Sequence, residues 1–411
     1  MFHDAMTSPG PRILVLEGNE QQRQALAAVD PGAAVLVCPV PATPLWRQIT
    51  DFRPDCLFLD ADLPDDAGFK ALAETRQDDE LAPIRVVMLT EDESQDSRRR
   101  AFIAGADEVL RKPYTADQLL ATVKAMTRFQ VHFWGTRGTL PVPGPGSLRY
   151  GGNTSCISLD VGLDRHFVFD AGTGLRQYGQ YLMERENGRF NGRIFISHPH
   201  WDHLNCLPFF TPIYMSGNQI SLMGPPQGVR TLRNLIDGQM DGTYFPITAD
   251  AFAADLTIED LFEGDFRFDG VSVRTLRLRH PGNCLGFRVD HLGHSLAYIT
   301  DNELGDLDPG DPYLVRLLEF LKDVDVLIHD TTYFDDEYPR KVNWGHSSIS
   351  QVVRLADAAN AGKLFLFHHD PEHGDDDIDR KLQLARQCAV ELGSPVQCLI
   401  AAEGEVLEVG R

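Results

Sequence analysis

The run Ser197-His198-Pro199-His200-Trp201-Asp202-His203, set straight after the apolar stretch Ile194-Phe195-Ile196, most narrows what this chain can become. Between His198 and His203 it supplies three imidazoles and a carboxylate, and a strand ending in such a turn can aim them at one point. Imidazole and carboxylate donors suit zinc, manganese or iron, and the absence of cysteine from the cluster argues against a closed structural zinc site. The alternative is a polar loop that happens to be rich in histidine. The density of His-x-His-x-Asp-His directly after a β-like run favours metal.

Two ions need more donors than one turn provides, and three other apolar runs end in a ligand-type residue. His280 follows Val271 to Leu278, Asp301 follows Ser295 to Thr300, and His368 follows Leu364 to Phe367. Polar residues at the C-terminal tips of strands are where α/β architectures place chemistry.

The pattern resembles the metallo-β-lactamase superfamily, and within it the phosphodiesterase branch of RNase Z and the phosphoribosyl cyclic phosphodiesterases. The resemblance spans about residues 130 to 411. It rests on Phe133-Trp134-Gly135-Thr136-Arg137-Gly138, Gly151-Gly152-Asn153-Thr154-Ser155-Cys156 and Phe169-Asp170-Ala171-Gly172-Thr173-Gly174. It continues through the histidine turn, His280-Pro281-Gly282-Asn283-Cys284-Leu285-Gly286-Phe287, Ile299-Thr300-Asp301, Trp344-Gly345-His346-Ser347-Ser348 and Phe367-His368. The resemblance implies an αββα sandwich with one cation held by His198, His200 and His280. It implies a second held by Asp202, His203 and His368, with Asp301 bridging both. The family pattern favours His368 because it comes immediately after the strand. Side chains alternate across a strand, so His368 and His369 cannot both point inward, and His369 is the fallback. His373, beside Gly374-Asp375-Asp376-Asp377, reads as part of a solvated loop.

A cation pair of this kind lowers the pKa of a bound water to about 7 and clamps an in-line displacement at phosphorus. Asp202 is expected to orient the nucleophile or take its proton. The resemblance makes His346, at the head of the helical pattern Ile349 to Ala359, the general acid, with Asp330 setting its tautomer and raising its pKa. The other reading leaves His346 merely near a helix N-terminus, where its charged form is disfavoured. The Pro- and Gly-rich loop Gly138 to Gly152 is expected over the metals. Arg137 and Arg149 either contact phosphate oxygens or are ordinary surface arginines.

The N-terminal third reads separately. Arg12 to Leu16, Cys56 to Asp60, Val86 to Thr90 and Glu108 to Pro113 are strand-like, with helical patterns between them, which implies a doubly wound sheet. Residues 11 to 127 resemble a flavodoxin-like response-regulator receiver domain, preceded by a loose tail over residues 1 to 10 and followed by a hydrolase domain over 129 to 411. Asp60 matches the phosphoacceptor, Thr90 the switch hydroxyl and Lys112 the phosphate-contacting lysine. The first strand ends in Glu17-Gly18, where the pattern carries two acids that hold Mg²⁺, unless Glu20 reaches back. A receiver Mg²⁺ site therefore lacks its main ligand. A working phospho-switch answering a histidine kinase and a degenerate docking or dimerisation module both remain open.

Sixty acids against 38 bases leave a net charge of −22, which opposes the lysine and arginine contacts needed to grip extended nucleic acid. A small phosphodiester, such as a cyclic nucleotide or cyclic ribose phosphate, fits better. An RNase Z-like endoribonuclease would need a basic docking arm, and none is visible between His203 and His280. That segment instead holds Phe209, Phe210, Tyr214 and Tyr244-Phe245-Pro246, which read as pocket wall or homodimer contact. A non-catalytic signalling scaffold would require a degraded metal site. Seven scattered cysteines without Cys-x-x-Cys favour reduced thiols, and no signal peptide or bilayer-length apolar run is read, so the expected location is cytoplasmic.

Overall fold

Five parallel strands build the first unit, and the three inner ones carry the apolar runs that cover on both faces demands. The five are β1 (Arg12–Leu16), β2 (Ala34–Cys38), β3 (Cys56–Asp60), β4 (Arg85–Thr90) and β5 (Glu108–Arg111), all parallel in the order β2-β1-β3-β4-β5, so that β1, β3 and β4 lie inside. Helices α1 (Glu20–Leu26), α2 (Leu45–Phe52), α3 (Ala67–Gln77), α4 (Gln95–Ile103) and α5 (Ala116–Met126) connect or follow them. This order reverses direction beside β1, and the C-terminal tips of β1, β3, β4 and β5 carry Glu17, Asp60, Thr90 and Lys112. The computed structural model describes residues 12–26, 34–38, 45–78, 81–82, 84–92, 94–163, 165–243, 245–268 and 270–409. The expected N-terminal tail and Tyr244 lie outside them. The chain divides into two compact units between Arg128 and Phe129.

The second unit holds two seven-stranded sheets. The first contains β6 (Phe129–Gly135), β7 (Cys156–Val161), β8 (His166–Phe169), β9 (Asn191–Phe195), β10 (Gln219–Gly224) and β11 (Asp255–Asp260). The second contains β12 (Gly264–Phe268), β13 (Val271–Arg277), β14 (Leu285–His291), β15 (His294–Ile299), β16 (Val326–Asp330), β17 (Lys363–Phe367) and β18 (Gln397–Ile400). The last strand, β19 (Val406–Glu408), returns to pair antiparallel with β6, so the first sheet runs β11-β10-β9-β8-β7-β6-β19. The second sheet keeps sequence order, β12 to β18.

Aromatic side chains knit the inner faces together. Phe169 meets Phe287 at a centroid distance of 5.2 Å, Phe195 meets Phe287 at 5.6 Å, and Phe133 meets Phe365 at 5.2 Å. Helices cover the outer faces. Leu175, Tyr178 and Leu182 of α6 (Gly174–Arg185) cluster with Val168, Ile194 and Leu222 of the first sheet, with Leu204 of the short α7 (Trp201–Leu204) and with Leu232 and Ile236 of α8 (Leu232–Gln239). On the second sheet, α9 (Pro312–Leu321), α10 (Ile349–Ala358) and α11 (Asp375–Leu392) bury Leu317, Val352, Val353, Ile378 and Ala385 against Ile299, Leu327, Leu364 and Leu366. The layering is αββα, as the sequence led us to expect. Among the described residues, no helix is long and apolar enough to cross a membrane.

Phe287 lies between the sheets and is fully buried. Replacing it with alanine is expected to cost about 3–5 kcal/mol, read as a lowered urea midpoint for the second unit.

Candidate metal centre

Side chains from five strand ends converge on one region. β9 runs into the histidine turn, and the chain beyond β13 carries His280. Asp301 follows β15, Asp330 ends β16, and His368 follows β17. Asp301 and His368 sit at φ of 47° and 57°, in the left-handed region that non-glycine residues seldom adopt. Strain of this sort persists only where the surroundings enforce it, and it gathers at functional sites.

Two donor groups result, with an overlapping third set of Asp301, His346 and His368. His198, His200, His280 and Asp301 form one, Asp202, His203 and His368 the other, and within each group the ligand atoms lie within 4.8 Å of one another. Asp301 faces both. Its Oδ2 lies 3.6 Å from His198 Nε2 and from His280 Nε2, while its Oδ1 lies 3.2 Å from His203 Nε2 and 3.0 Å from His368 Nε2. His200 turns Nδ1 inward, 3.0 Å from His280 Nε2. Asp202 Oδ2 lies 3.0 Å from His203 Nε2 and 3.2 Å from His368 Nε2.

The fit to cations rests on unmet demand. His198 Nε2 and His203 Nε2 are buried and have no hydrogen-bond partner, although carboxylates stand close by. Buried polar atoms are normally paired, so nitrogens converging without partners fit a missing positive centre. Burial, reinforced by neighbouring His203, pushes the pKa of His198 far below normal and keeps it in the neutral form a ligand needs. At His203 burial acts in the same direction, but Asp202, Asp301 and Asp170 outweigh it and raise its pKa well above normal. That is an excess of negative charge which a bound cation would neutralise.

Most of these imidazoles are oriented from behind. His203 Nδ1 donates to Asp170 Oδ2 at 2.7 Å. His198 Nδ1 lies 3.0 Å from Ser197 Oγ, which itself donates to Asp170 Oδ2 at 2.9 Å. Tyr298 OH donates to the same oxygen at 2.9 Å. One carboxylate thus steers a histidine in each donor group. His280 Nδ1 donates to Gly345 O at 3.0 Å, and His368 Nδ1 lies 3.1 Å from Thr332 Oγ1. These contacts fix which nitrogen faces the centre.

His346 is buried beside both groups, with its ring 5.0 Å from His368 and 5.4 Å from His280. Its Nδ1 donates to Asp330 Oδ2 at 2.7 Å. Burial opposes the charged imidazole, yet Asp330 prevails and raises the pKa to about 9.

Two expectations, for Arg137 and His373, need correction. Arg137 is wholly buried, donating to Gly151 O at 2.9 Å and to His373 O, and is therefore a brace inside the fold. Arg149 pairs with Asp376 and Asp379 on the surface. His373 is buried against Glu337, with its Nε2 at 3.1 Å, and is not part of a solvated loop. His369 is fully buried and stands outside both donor groups, whereas His368 belongs to one. The 138–152 loop does reach the centre: Thr139 N donates to Asp202 Oδ2 at 2.7 Å, and a Cβ on Gly138 would meet His368 Cε1 at 2.3 Å.

Sequence reasoning gave no role to Asp170, Glu303, Thr332 or Lys381. Asp170 had the same signal as the ligands, a carboxylate directly after an apolar strand, and its φ of 63° is left-handed too. Glu303 accepts from Tyr338 OH at 2.9 Å, Asn343 N at 2.7 Å and Gly345 N at 2.8 Å, and so holds the loop that bears His346. Lys381, fully buried, donates to Thr331 O at 2.9 Å and Thr332 O at 2.7 Å, and burial drives its pKa down to about 7.

In the first unit, buried Asp60 lies 2.5 Å from Lys112 Nζ, which also reaches Glu17 Oε1 at 3.1 Å. Glu17 Oε2 accepts from Tyr114 OH at 2.9 Å. Burial alone would raise the Asp60 pKa, but the bond to Lys112 and backbone donors leave it lowered. Glu20 pairs with Arg23 on the surface. Thr90 Oγ1 donates to Asp62 Oδ1 at 3.3 Å and Glu91 N to Asp62 Oδ2 at 2.9 Å, so the Asp62 carboxylate occupies the switch hydroxyl.

Comparison with known proteins agrees with this architecture. Residues 165–369 match the Beta-lactamase superfamily domain, and residues 13–124 match the Response regulator receiver domain. Ribonuclease BN of Salmonella heidelberg (strain SL476) is 30% identical over 275 residues, covering 54% of this chain and 83% of that protein. Ribonuclease Z of Myxococcus xanthus (strain DK1622) is 27% identical over 288 residues, covering 59% of this chain and 88% of that protein. Among solved structures, the metallo-β-lactamase fold protein YhfI from Bacillus subtilis superposes with a TM-score of 0.51 at 18% identity, covering 69% of this chain and 99% of its own. The chain belongs to the metallo-β-lactamase superfamily of metal-dependent hydrolases, in its RNase Z-like part, and carries an N-terminal receiver domain.

Replacing Asp170 with asparagine should weaken metal binding about 10–100-fold, measured by competition with a chromogenic chelator while circular dichroism confirms the fold.

Proposed function

We propose that residues 129–411 form a dinuclear metal-dependent phosphodiesterase acting on a small phosphodiester. The observation that carries this is Asp301, whose two oxygens face two separate donor groups. His198, His200 and His280 would hold one cation, Asp202, His203 and His368 the other, and Asp301 both. Imidazole and carboxylate donors without cysteine favour zinc, with manganese or iron also suited. Bound there, two cations would polarise the phosphoryl group and acidify the attacking water.

This chain's own residues supply the proton transfers. Asp202, held by Thr139 N, would orient the water and take its proton. His346 gives up its proton to the departing oxygen from Nε2, because Nδ1 is committed to Asp330. A pKa near 9 keeps it protonated at neutral pH. Asp330 is itself anchored by Asn302 N at 3.2 Å and by Thr332 N at 3.0 Å, which stops the dyad from swinging.

A second reading, endonucleolytic cleavage of RNA, is favoured by the names of the ribonuclease Z and BN relatives. The net charge of −22 supports the small substrate instead. Metal-loaded protein should hydrolyse bis-p-nitrophenyl phosphate and a cyclic nucleotide or cyclic ribose phosphate, and should lose both activities on chelation. Exclusive cleavage of a tRNA precursor would reverse this preference.

His346→Ala should slow hydrolysis of an alkyl phosphodiester about 10²–10⁴-fold. It should scarcely affect a p-nitrophenyl ester, whose leaving group needs no proton. Equal loss on both would remove His346 from the acid role.

The receiver domain implies a signalling partner, and a histidine kinase acting on Asp60, with Thr90 and Lys112 reading the phosphoryl group, is the arrangement proposed here. Acetyl phosphate with Mg²⁺ should then change the hydrolase rate of the wild type but not of Asp60→Ala. No change in either would leave the receiver a docking module.

A further inference from the structure

A helix that packs on a sheet needs an apolar stripe, and α11 departs from that pattern at one position. Its buried residues include Ile378, Lys381, Ala385 and Ala389, spaced by three and four along one face. Ile378, Ala385 and Ala389 belong to the core beneath the second sheet, and Lys381, fully buried, stands among them. Taking an ammonium out of water is costly. Burial lowers the Lys381 pKa to about 7, even though Asp370, Glu337 and Asp330 favour the charge. Methionine would fill the same space without that cost, since exchanging a buried charge for apolar volume is often neutral or stabilising. Stability alone does not account for a lysine here.

The side chain ends on the turn beyond β16. Its Nζ donates to Thr331 O at 2.9 Å and to Thr332 O at 2.7 Å, two consecutive carbonyls, and so fixes both peptide planes. From there the contacts divide. Thr332 N donates to Asp330 Oδ1 at 3.0 Å, and Asp330 Oδ2 accepts from His346 Nδ1 at 2.7 Å. Thr332 Oγ1 lies 2.7 Å from Asp330 Oδ1, 2.8 Å from His368 O and 3.1 Å from His368 Nδ1. Thr331 N donates to Phe367 O at 2.9 Å, which ties the turn to the residue before His368. One amine thus stands behind the proton donor and a metal ligand together.

We propose that Lys381 is a positioning residue for the hydrolysis: by pinning the 331–332 turn it keeps His346 aimed at the departing oxygen while His368 stays on its cation. It touches neither substrate nor metal and acts through Thr331 and Thr332. The proton-donor half of this inference rests on the phosphodiesterase reading above, and the ligand half rests on the metal centre alone. A displacement of about 1 Å at a reacting group can cost on the order of 10²-fold in rate. A support that never meets the substrate therefore still carries kinetic weight.

The test compares Lys381→Met with the wild type as full-length protein, once circular dichroism has confirmed the fold. At saturating zinc, the ratio of kcat on an alkyl phosphodiester to kcat on bis-p-nitrophenyl phosphate should fall about tenfold, because only the alkyl leaving group needs the proton. A merely structural role would lower both rates in proportion and leave the ratio where it was. Zinc affinity, measured without substrate by competition with a chromogenic chelator, should fall about tenfold for one of two bound equivalents. A wild-type value for either quantity overturns the proposal. Should the methionine variant not fold, Lys381→Gln takes its place. Its amide is one bond shorter and reaches at most one of the two carbonyls, so both losses should appear in lesser degree, and wild-type values there overturn the proposal equally. If the wild type cleaves no phosphodiester, the phosphodiesterase reading fails, and the zinc comparison alone then judges Lys381.

Discussion

The second unit is organised around one buried carboxylate. Asp301 stands among four imidazole nitrogens at 3.0–3.6 Å, two on each oxygen, in a left-handed backbone conformation. A carboxylate taken out of water is tolerated only when opposite charge and hydrogen bonds replace its hydration. Its surroundings do this in layers, first the histidines and then the groups behind them. The rest of the site can be understood as what holds those imidazoles in place.

Asp170 does the largest share of that work. It accepts from His203, Ser197 and Tyr298, and through Ser197 Oγ it reaches His198, so both donor groups are steered by one side chain. On the far side, Lys381 secures the Thr331 and Thr332 carbonyls, and Thr332 touches Asp330 at 2.7 Å as well as His368. The His346–Asp330 pair and His368 therefore share a support. Glycine serves the same end at two positions. A side chain on Gly138 would strike His368, and one on Gly345, at φ +87°, would strike His280. Close backbone approach lets the loops press against the ligand rings.

Much of this was legible in the chain. The histidine turn is local, and His280, Asp301 and His368 each follow an apolar strand, which is why period and punctuation alone found them. His346 was read from the Gly-His-Ser-Ser element of the phosphodiesterase branch, and Asp330 from the run His329-Asp330-Thr331-Thr332. The supports were harder to see. Glu303 and Lys381 sit in ordinary polar surroundings along the chain, and nothing near them in sequence reveals the backbone atoms they bind. Arg137 and His373 misled for the same reason, since a polar residue in a Gly- or Asp-rich loop reads as exposed until its partners are known.

The sequence by itself determined the two-part organisation, the strand tips and the ligand types, because hydrophobic periodicity and residue chemistry are written locally. Only the tertiary structure decided that Asp301 faces both donor groups, that His368 rather than His369 joins them, and that Asp170 steers a histidine in each group. Those outcomes depend on side chains from 138 to 381 meeting in space, and the packing of two sheets, not neighbourhood along the chain, brings them together.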